Sequence, residues 1–152
     1  QCIQVVGYGT LLLENCEAHR NCIISLRQDY GSTWDGDVII RNCTLRPSAK
    51  NKDISIISGS NDGSHDFGYP CQLPSSVTVE GLLIDDTLAS EMNDYAGPKV
   101  FSSFGRKAGN EEPFSFGTSC NVTLKDVRIV SGKPLVPVSN PGAFPGLTVR
   151  EE

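Results

Sequence analysis

One eight-residue pattern occurs four times along this chain, and a shortened fifth copy begins near residue 147. In each copy, apolar residues at positions one and three alternate with polar or outward-facing residues at positions two and four. This is the period-2 pattern of a β-strand with one buried face. The starts of successive copies are separated by 27, 39, 45 and 25 residues. Such a period, with insertions of variable length, predicts a solenoid in which each repeat stacks on its neighbour. The copies are Leu11–Ala18, Val38–Leu45, Val77–Ile84, Val122–Ile129 and Leu147–Glu152.

The fifth position of each full copy carries a residue that tolerates a left-handed backbone, so we expect the strand to bend there. These residues are Asn15, Asn42, Gly81 and Asp126. A second strand is predicted after each bend, and a long loop then returns to the next copy. The predicted fold is therefore all-β: a right-handed parallel β-helix of about five coils, with long loops on one flank. The second strands are Cys22–Leu26, Ile54–Ile57, Val100–Phe104 and Leu135–Val138.

The asparagines at the bend resemble the asparagine ladder of the pectate-lyase-like right-handed parallel β-helix superfamily. The resemblance implies a single β-helix domain over residues 1–152, with Asn42 buried in the ladder. Natural solenoids cap their ends, and no cap is recognisable in this sequence. We therefore expect a fragment of a longer protein, or a subunit whose ends are covered in an oligomer.

The six cysteines leave two interpretations open. The repeat places Cys16 in one inner column with Cys43, and it places Cys22 in the column of Ile54 and Val100, so we interpret these three as stacked core thiols. The other two repeat-associated cysteines, Cys71 and Cys120, each end a Phe-Gly-x-x-Cys string just before a repeat. They are predicted neighbours that either form a disulfide or remain parallel free thiols.

Charge and hydropathy exclude two classes of partner. The formal net charge of −5 argues against nucleic acid, which requires clustered Lys and Arg to neutralise phosphates. The chain has no apolar stretch of the length, about 18 residues, that would span a membrane.

The predicted return loops combine aromatic side chains with carboxylates and basic groups. Sugars are recognised by this mixture, because a flat ring contacts the apolar C–H side of a pyranose while charged groups bind its hydroxyls. For Trp34 and Tyr69 the alternative is a structural role, with the indole of Trp34 plugging its loop against the core. The predicted substrate-binding residues are Arg27, Asp29, Tyr30, Trp34, Asp35, Tyr69 and Arg106.

Catalysis, if present, is predicted at Asp62, His65 and Asp66. Two carboxylates can act as general acid and base in glycoside hydrolysis, and a histidine between them titrates near neutral pH. The string resembles the Asp-rich and Ser-His-Gly motifs of β-helical polygalacturonases, but it has Ser-His-Asp at 64–66 and no following Arg-x-Lys.

The alternative chemistry is β-elimination from a uronate. It needs a basic residue, for which Arg27, Arg106 and Lys107 are candidates. It also commonly uses Ca²⁺, which Asp29, Asp35 and Asp37 could bind through oxygen ligands. No cofactor is otherwise predicted. The competing interpretation of the Asp-Gly pairs is turn formation alone.

Two loop strings, 26–36 and 61–71, resemble β-helical proteins of bacteriophage tails and prophage regions. The resemblance implies an extracellular or virion-borne appendage, commonly a homotrimer, that binds bacterial surface glycan. The leading hypothesis is a polysaccharide-recognising domain, with or without cleavage of the bound polymer. The alternatives are a secreted polysaccharide lyase or glycoside hydrolase, and a purely structural shaft segment.

Overall fold

The computed structural model describes residues 3–4, 7–27, 34–60, 73–102, 119–138 and 146–152. These residues form ten β-strands and one short helix. The strands are β1 (Ile3–Gln4), β2 (Gly7–Glu14), β3 (Glu17–Ala18), β4 (Cys22–Arg27), β5 (Trp34–Leu45), β6 (Ser55–Ser60), β7 (Ser76–Ile84), β8 (Lys99–Phe101), β9 (Cys120–Ile129) and β10 (Leu147–Glu151); the helix α1 is Thr87–Ser90.

Every strand pair in the two sheets is parallel. The larger sheet has the order β10-β9-β7-β5-β2, with β3 also pairing with β5, and the smaller sheet has the order β1-β4-β6-β8. The first four copies of the sequence pattern lie beside one another in the predicted register, since Val38 pairs with both Leu11 and Val77, and Val77 pairs with Val122. The prediction of parallel strands with one buried face is confirmed for these copies.

The predicted β-helix is wrong. The described residues form two flat parallel sheets, and neither closure of a coil nor stacking of coils is shown. The reason is that a period-2 pattern specifies which face of a strand is buried and which strands are neighbours. It does not specify that successive sheets close around a common axis, because closure depends on the connecting segments. The predicted count of about five coils is therefore also wrong.

The bend at position five has the predicted backbone. Asn15, Asn42 and Asp126 have positive φ angles of 57°, 52° and 52°, and Gly81 has a φ of 69°. The Asn42 side-chain Nδ2 donates to Asn15 Oδ1 at 2.7 Å, so two members of the predicted ladder are hydrogen-bonded. Both asparagines are exposed, which corrects the expectation that Asn42 is buried. The bend therefore lies at the solvent-facing side of the sheet.

The fifth copy is shifted by two residues from the predicted alignment. Leu147 pairs with Cys120 and Val149 pairs with Val122, so the spacing is 27 residues, as in the first copy. A shift of two keeps the same side chains on the same face, and the apolar pattern therefore cannot distinguish the two registers.

The predicted strand Leu135–Val138 is reduced to one bridge between Val136 and Lys99. Pro134 and Pro137 flank Val136 and have no N–H group to donate, which limits the pairing.

Side chains of both sheets contribute to one hydrophobic core. In the smaller sheet, the residues from Cys22 to Leu26 and from Ile54 to Ile57 are all buried, so both faces of these strands are covered. Their nearly continuous apolar runs are typical of parallel strands buried on both faces. In the larger sheet only alternate residues are buried, such as Val38 and Ile40. The larger sheet therefore presents one face to solvent.

The cysteines are less uniform than predicted. Cys22 is disulfide-bonded, and it is aligned with Ser55 rather than with Ile54. Cys16, Cys43 and Cys120 are free thiols, of which Cys16 is exposed and the other two are buried. The interpretation of three stacked core thiols is thus correct for Cys43 alone. Of the two alternatives left open for Cys71 and Cys120, the disulfide between them is wrong, because Cys120 is a free thiol.

Helix α1 is a single turn, and the described part of the chain has no helix that is long and apolar enough to cross a membrane. The helix follows Asp86, a carboxylate that is only 1% exposed. Asp86 accepts hydrogen bonds from the Tyr95 hydroxyl at 2.6 Å and from the Ser131 N–H and hydroxyl at 2.8 and 2.5 Å. Burial, followed by the contact with Asp86, raises the pKa of the Tyr95 phenol, which therefore stays a donor. Asp86 thus connects the segment around α1 to the residues that follow β9.

Replacing Asp86 tests whether this buried carboxylate holds that segment in place. Asp86→Ala removes the acceptor of three donors, and we expect a loss of about 2–5 kcal/mol in the free energy of unfolding. Tyr95→Phe removes one donor and should cost about 1–2 kcal/mol. Urea denaturation of both single variants and the double variant gives the coupling energy. A coupling near zero would contradict the direct hydrogen bond.

The left-handed bend is tested at Asn42, where Ala and Gly differ mainly in backbone preference. We expect Asn42→Ala to be about 1 kcal/mol less stable than Asn42→Gly, because only glycine adopts a positive φ without strain. At Thr44, which lies in the strand after the bend, the order should reverse. Chemical denaturation of the four variants measures both differences. Equal stability of the two Asn42 variants would mean that the bend does not require a left-handed residue.

Candidate functional site

The solvent-facing side of the larger sheet carries alternating residues of each strand, and we call it the outer face. On β5 it presents Asp35, Asp37, Ile39 and Arg41, which alternate with inward-facing residues. Neighbouring strands are in register, so residues of equivalent position form rows that run across the strands. The spacing along such a row is about 4.8 Å, the distance between neighbouring strands.

One of these rows consists entirely of hydrogen-bonding side chains, and we call it the polar row. Each member is paired in register with the member on the next strand. In order from β2 to β10, the members are Thr10, Asp37, Ser76, Asn121 and Thr148. The Ser76 hydroxyl donates to Asp37 Oδ1 at 2.6 Å, and the Thr148 hydroxyl donates to Asn121 Oδ1 at 2.5 Å. Four steps between strands give the polar row a length of about 19 Å. It can therefore contact an extended polar ligand at several points.

Tyr8 lies beside one end of the polar row with 85% of its surface exposed. It precedes Thr10 by two residues on β2, so it is on the same face, and it pairs in register with Asp35. A tyrosine combines an apolar ring with a polar hydroxyl, and this residue type is enriched at binding interfaces. Tyr8 and Asp35 extend the outer face beyond the polar row at the β2 edge.

A close approach of two glycines fixes this corner of the sheet. Gly9 and Gly36 pair in register between Tyr8 and Thr10 on one strand and between Asp35 and Asp37 on the next. A Cβ atom at position 36 would lie 2.2 Å from the carbonyl oxygen of Gly9, and Gly36 has a φ of 142°. No side chain fits there, so the backbones set the spacing of the aromatic and carboxylate groups around them.

Only part of the predicted site falls within the described residues. Arg27 is the last residue of β4, but its side chain is not among the described parts of the structure. The other predicted residues outside the described ranges are Asp29, Tyr30, Asp62, His65, Asp66, Tyr69 and Arg106. Asp35 is exposed on the outer face. Asp37, a candidate calcium ligand, belongs to the polar row.

Trp34 is placed differently from the carboxylates that follow it. As the first residue of β5, Trp34 lies on the same side of the strand as Val38. Its ring is partly buried and packs against the core. Its indole Nε1 donates to the Asp37 carbonyl oxygen at 3.2 Å. These contacts give Trp34 a packing role at the start of β5, in line with the structural alternative for this residue.

A second row on the outer face alternates in charge. Arg41 forms ion pairs with Glu14 at 3.1 Å and with Glu80 at 3.4 Å, and Glu80 is in register with Lys125. The hydrogen bond that Arg41 donates to the Glu14 carboxylate, together with the other carboxylate contacts, raises the pKa of the Arg41 guanidinium. This row is internally neutralised, so its cations do not act on the polar row as free charges.

Sequence reasoning missed Tyr8, Ser76, Asn121, Thr148 and Thr10 as candidate binding residues. The available signal was the repeat itself, because the residue immediately before each of the first four pattern starts is polar. That signal is not specific for binding, because short polar residues are expected on any solvated sheet face. Their alignment into one row appears only when the register of all five strands is known.

Among the described residues, no three His, Cys, Asp or Glu side chains are grouped as metal ligands would be, and Asp29 of the suggested calcium set lies outside them. Comparison of the chain with protein-family models, curated proteins and solved structures found no match. The geometry of the outer face is therefore the basis for a functional proposal.

Substitution of Gly36 tests the arrangement of the corner. Gly36→Ala places a methyl group against the Gly9 backbone, and we expect a loss in stability of more than about 1–3 kcal/mol, the cost of backbone strain alone. Gly132→Ala is the matched control, since its φ is 76° but open space surrounds its added methyl group. Thermal and urea unfolding of both variants separate the two effects. Equal losses would contradict the close approach of β2 and β5.

Proposed function

We propose that the chain recognises polysaccharide through the outer face of the larger sheet. The polar row supports this proposal most directly, because it offers hydroxyl, amide and carboxylate groups at a regular spacing across five strands. A linear glycan that lies across the strands would meet hydrogen-bonding groups at each step. The exposed ring of Tyr8 is positioned to contact the apolar face of a sugar at one end of the row.

The charges around the polar row favour a neutral or amino-sugar glycan over an acidic one. Asp35 and Asp37 are the charged side chains that belong to the polar row and to the Tyr8 corner. Arg150 lies two residues beyond Thr148, in a different row and on β10 at the far edge of the sheet. A uronate polymer would bring its carboxylates towards these two acids, and like charges repel.

The redox state of Cys22 supports the proposed extracellular or virion setting. Cys22 is disulfide-bonded, and disulfides persist mainly in oxidising environments outside the cytosol. The homotrimer implied by the resemblance to phage tail proteins stays a prediction, which sedimentation equilibrium of the purified chain would test.

Cleavage of the bound polymer stays a separate prediction, because Asp62, His65 and Asp66 lie outside the described residues. The lyase and hydrolase alternatives both depend on those or neighbouring loop residues. The structural alternative treats the polar row as an ordinary solvated sheet face. A binding experiment separates recognition from this last alternative.

Binding is tested with a polysaccharide panel that contains a neutral glucan, a chitosan and a polygalacturonate. We expect the neutral or amino-sugar polymer to bind more tightly than the uronate polymer in isothermal titration calorimetry or affinity electrophoresis. Tyr8→Ala and Asp37→Asn should each weaken binding by about three- to tenfold, which corresponds to about 0.7–1.4 kcal/mol. Release of reducing ends and of unsaturated uronate is followed in the same samples.

Two variants control for general effects on the sheet. Val130→Ala removes an exposed apolar side chain directly after β9, outside the strands that form the outer face, and Asp126→Asn removes a carboxylate at a bend where asparagine is accepted elsewhere in the chain. Both should leave binding unchanged. Absence of binding to every polymer, or equal weakening by the control variants, would contradict the proposal. Product formation without dependence on Tyr8 or Asp37 would place recognition in the loops instead.

A further inference from the structure

Two free thiols lie side by side at the β2 edge of the larger sheet. Cys16 precedes β3 and Cys43 is within β5, and the residues that follow them, Glu17 and Thr44, are paired in register. The Thr44 N–H donates to the Cys16 carbonyl oxygen at 2.9 Å, which holds the two backbones together at this point. Neighbouring parallel strands are about 4.8 Å apart, and this is within the Cα–Cα range of disulfides, about 4.4–6.8 Å.

The two cysteines also share one pocket. Cys16 and Cys43 both line a pocket of about 310 Å³ at this end of the structure. Leu13, Ala18 and Ile23 form its apolar wall, while His19 and Arg20 lie at the polar side. Cys16 is exposed and Cys43 is 4% exposed, so a solute reaches the first sulfur directly and the second through the pocket.

We propose that Cys16 and Cys43 are a redox-active dithiol that closes to a disulfide on reaction with a low-molecular-weight disulfide such as oxidised glutathione. The proposal is independent of glycan recognition. It rests on the in-register placement of the two residues, on their shared pocket and on their different exposure. The disulfide at Cys22 is further support, because it indicates that the folded chain is compatible with oxidising conditions.

The exposed cysteine reacts first. The Cys16 sulfur, after losing its proton, attacks one sulfur of oxidised glutathione; the sulfur–sulfur bond of glutathione breaks, and one glutathione leaves as a thiolate that takes up a proton. Cys43 then loses its proton and attacks the Cys16 sulfur, which expels the second glutathione. Two protein thiols are oxidised and one glutathione disulfide is reduced to two thiols. Burial raises the pKa of the Cys43 thiol, which suits the second, resolving role.

Closure of the disulfide would fasten the edge strand. The larger sheet ends at β2, which pairs with β5 alone among its described strands, and β2 carries Tyr8 and Thr10. A covalent bond between Cys16 and Cys43 links the end of β2 to β5 and closes a loop of the chain between them. Such a bond restricts the unfolded chain, so the oxidised form should unfold at a higher urea concentration than the reduced form.

The test uses the folded full chain, equilibrated with oxidised and reduced glutathione and then blocked with iodoacetamide. Cleavage after Glu and after Arg or Lys, which does not cut the Arg46–Pro47 bond, releases residues 15–17 and 42–50 as separate peptides. We expect mass spectrometry to find these two peptides joined after oxidation and alkylated separately after reduction. Cys43→Ser should stop at a glutathione adduct on Cys16, while Cys16→Ser should leave Cys43 as an alkylatable thiol.

Cys120 provides the matched control. It is a free and buried thiol on β9, and burial raises its pKa to about 12. Cys120→Ala should not change formation of the crosslink. The proposal is overturned if the native chain, with its circular dichroism unchanged, stops at the glutathione adduct of Cys16 or leaves both thiols unreacted. It is also overturned if oxidation of Cys43 persists in Cys16→Ser.

Discussion

Unshifted parallel pairing is the constraint on which the larger sheet depends. Strands β2, β5, β7 and β9 bend at equivalent positions, so the ladder hydrogen bonds and the side-chain rows both continue across them. The bends are compatible because Asn15, Asn42, Gly81 and Asp126 all adopt a positive φ. A residue that cannot adopt a positive φ at this position would displace its strand. The displaced strand would then carry its polar side chains out of their rows.

The two sheets divide the roles of core and surface. Strands of the smaller sheet are buried on both faces, so their sequences are apolar with little alternation, as in Ile54–Ile57. Strands of the larger sheet bury alternate residues and leave the others in solvent. Packing therefore depends on one set of positions, and the outer face is made of the other set. This separation allows a binding surface to form on strands without weakening the core.

The sequence predicted the parts of the fold that depend on local pattern. Alternation located the strands of the larger sheet, and residue type located the left-handed bends. It failed where two arrangements have the same pattern, as in the register of Leu147, and where closure into coils depends on the connections. Trp34 illustrates the limit for the site, because an indole near the start of a strand can face either solvent or core. Asp86 was missed since no local pattern links it to its two partner residues, Tyr95 and Ser131, the second of which is 45 residues away.

The polar row gains from the same register that stabilises the sheet. Short side chains on paired strands have few rotamers, and two of its hydroxyls are already oriented by hydrogen bonds to Asp37 and Asn121. A ligand that contacts them loses less side-chain entropy than one bound by long, mobile residues. Tyr8 adds apolar area at one end on a backbone fixed by the approach of Gly9 to Gly36. Preorganisation of this kind would favour the proposed binding of an extended polymer to an exposed, shallow surface, because many weak contacts would form together without prior rearrangement of the sheet.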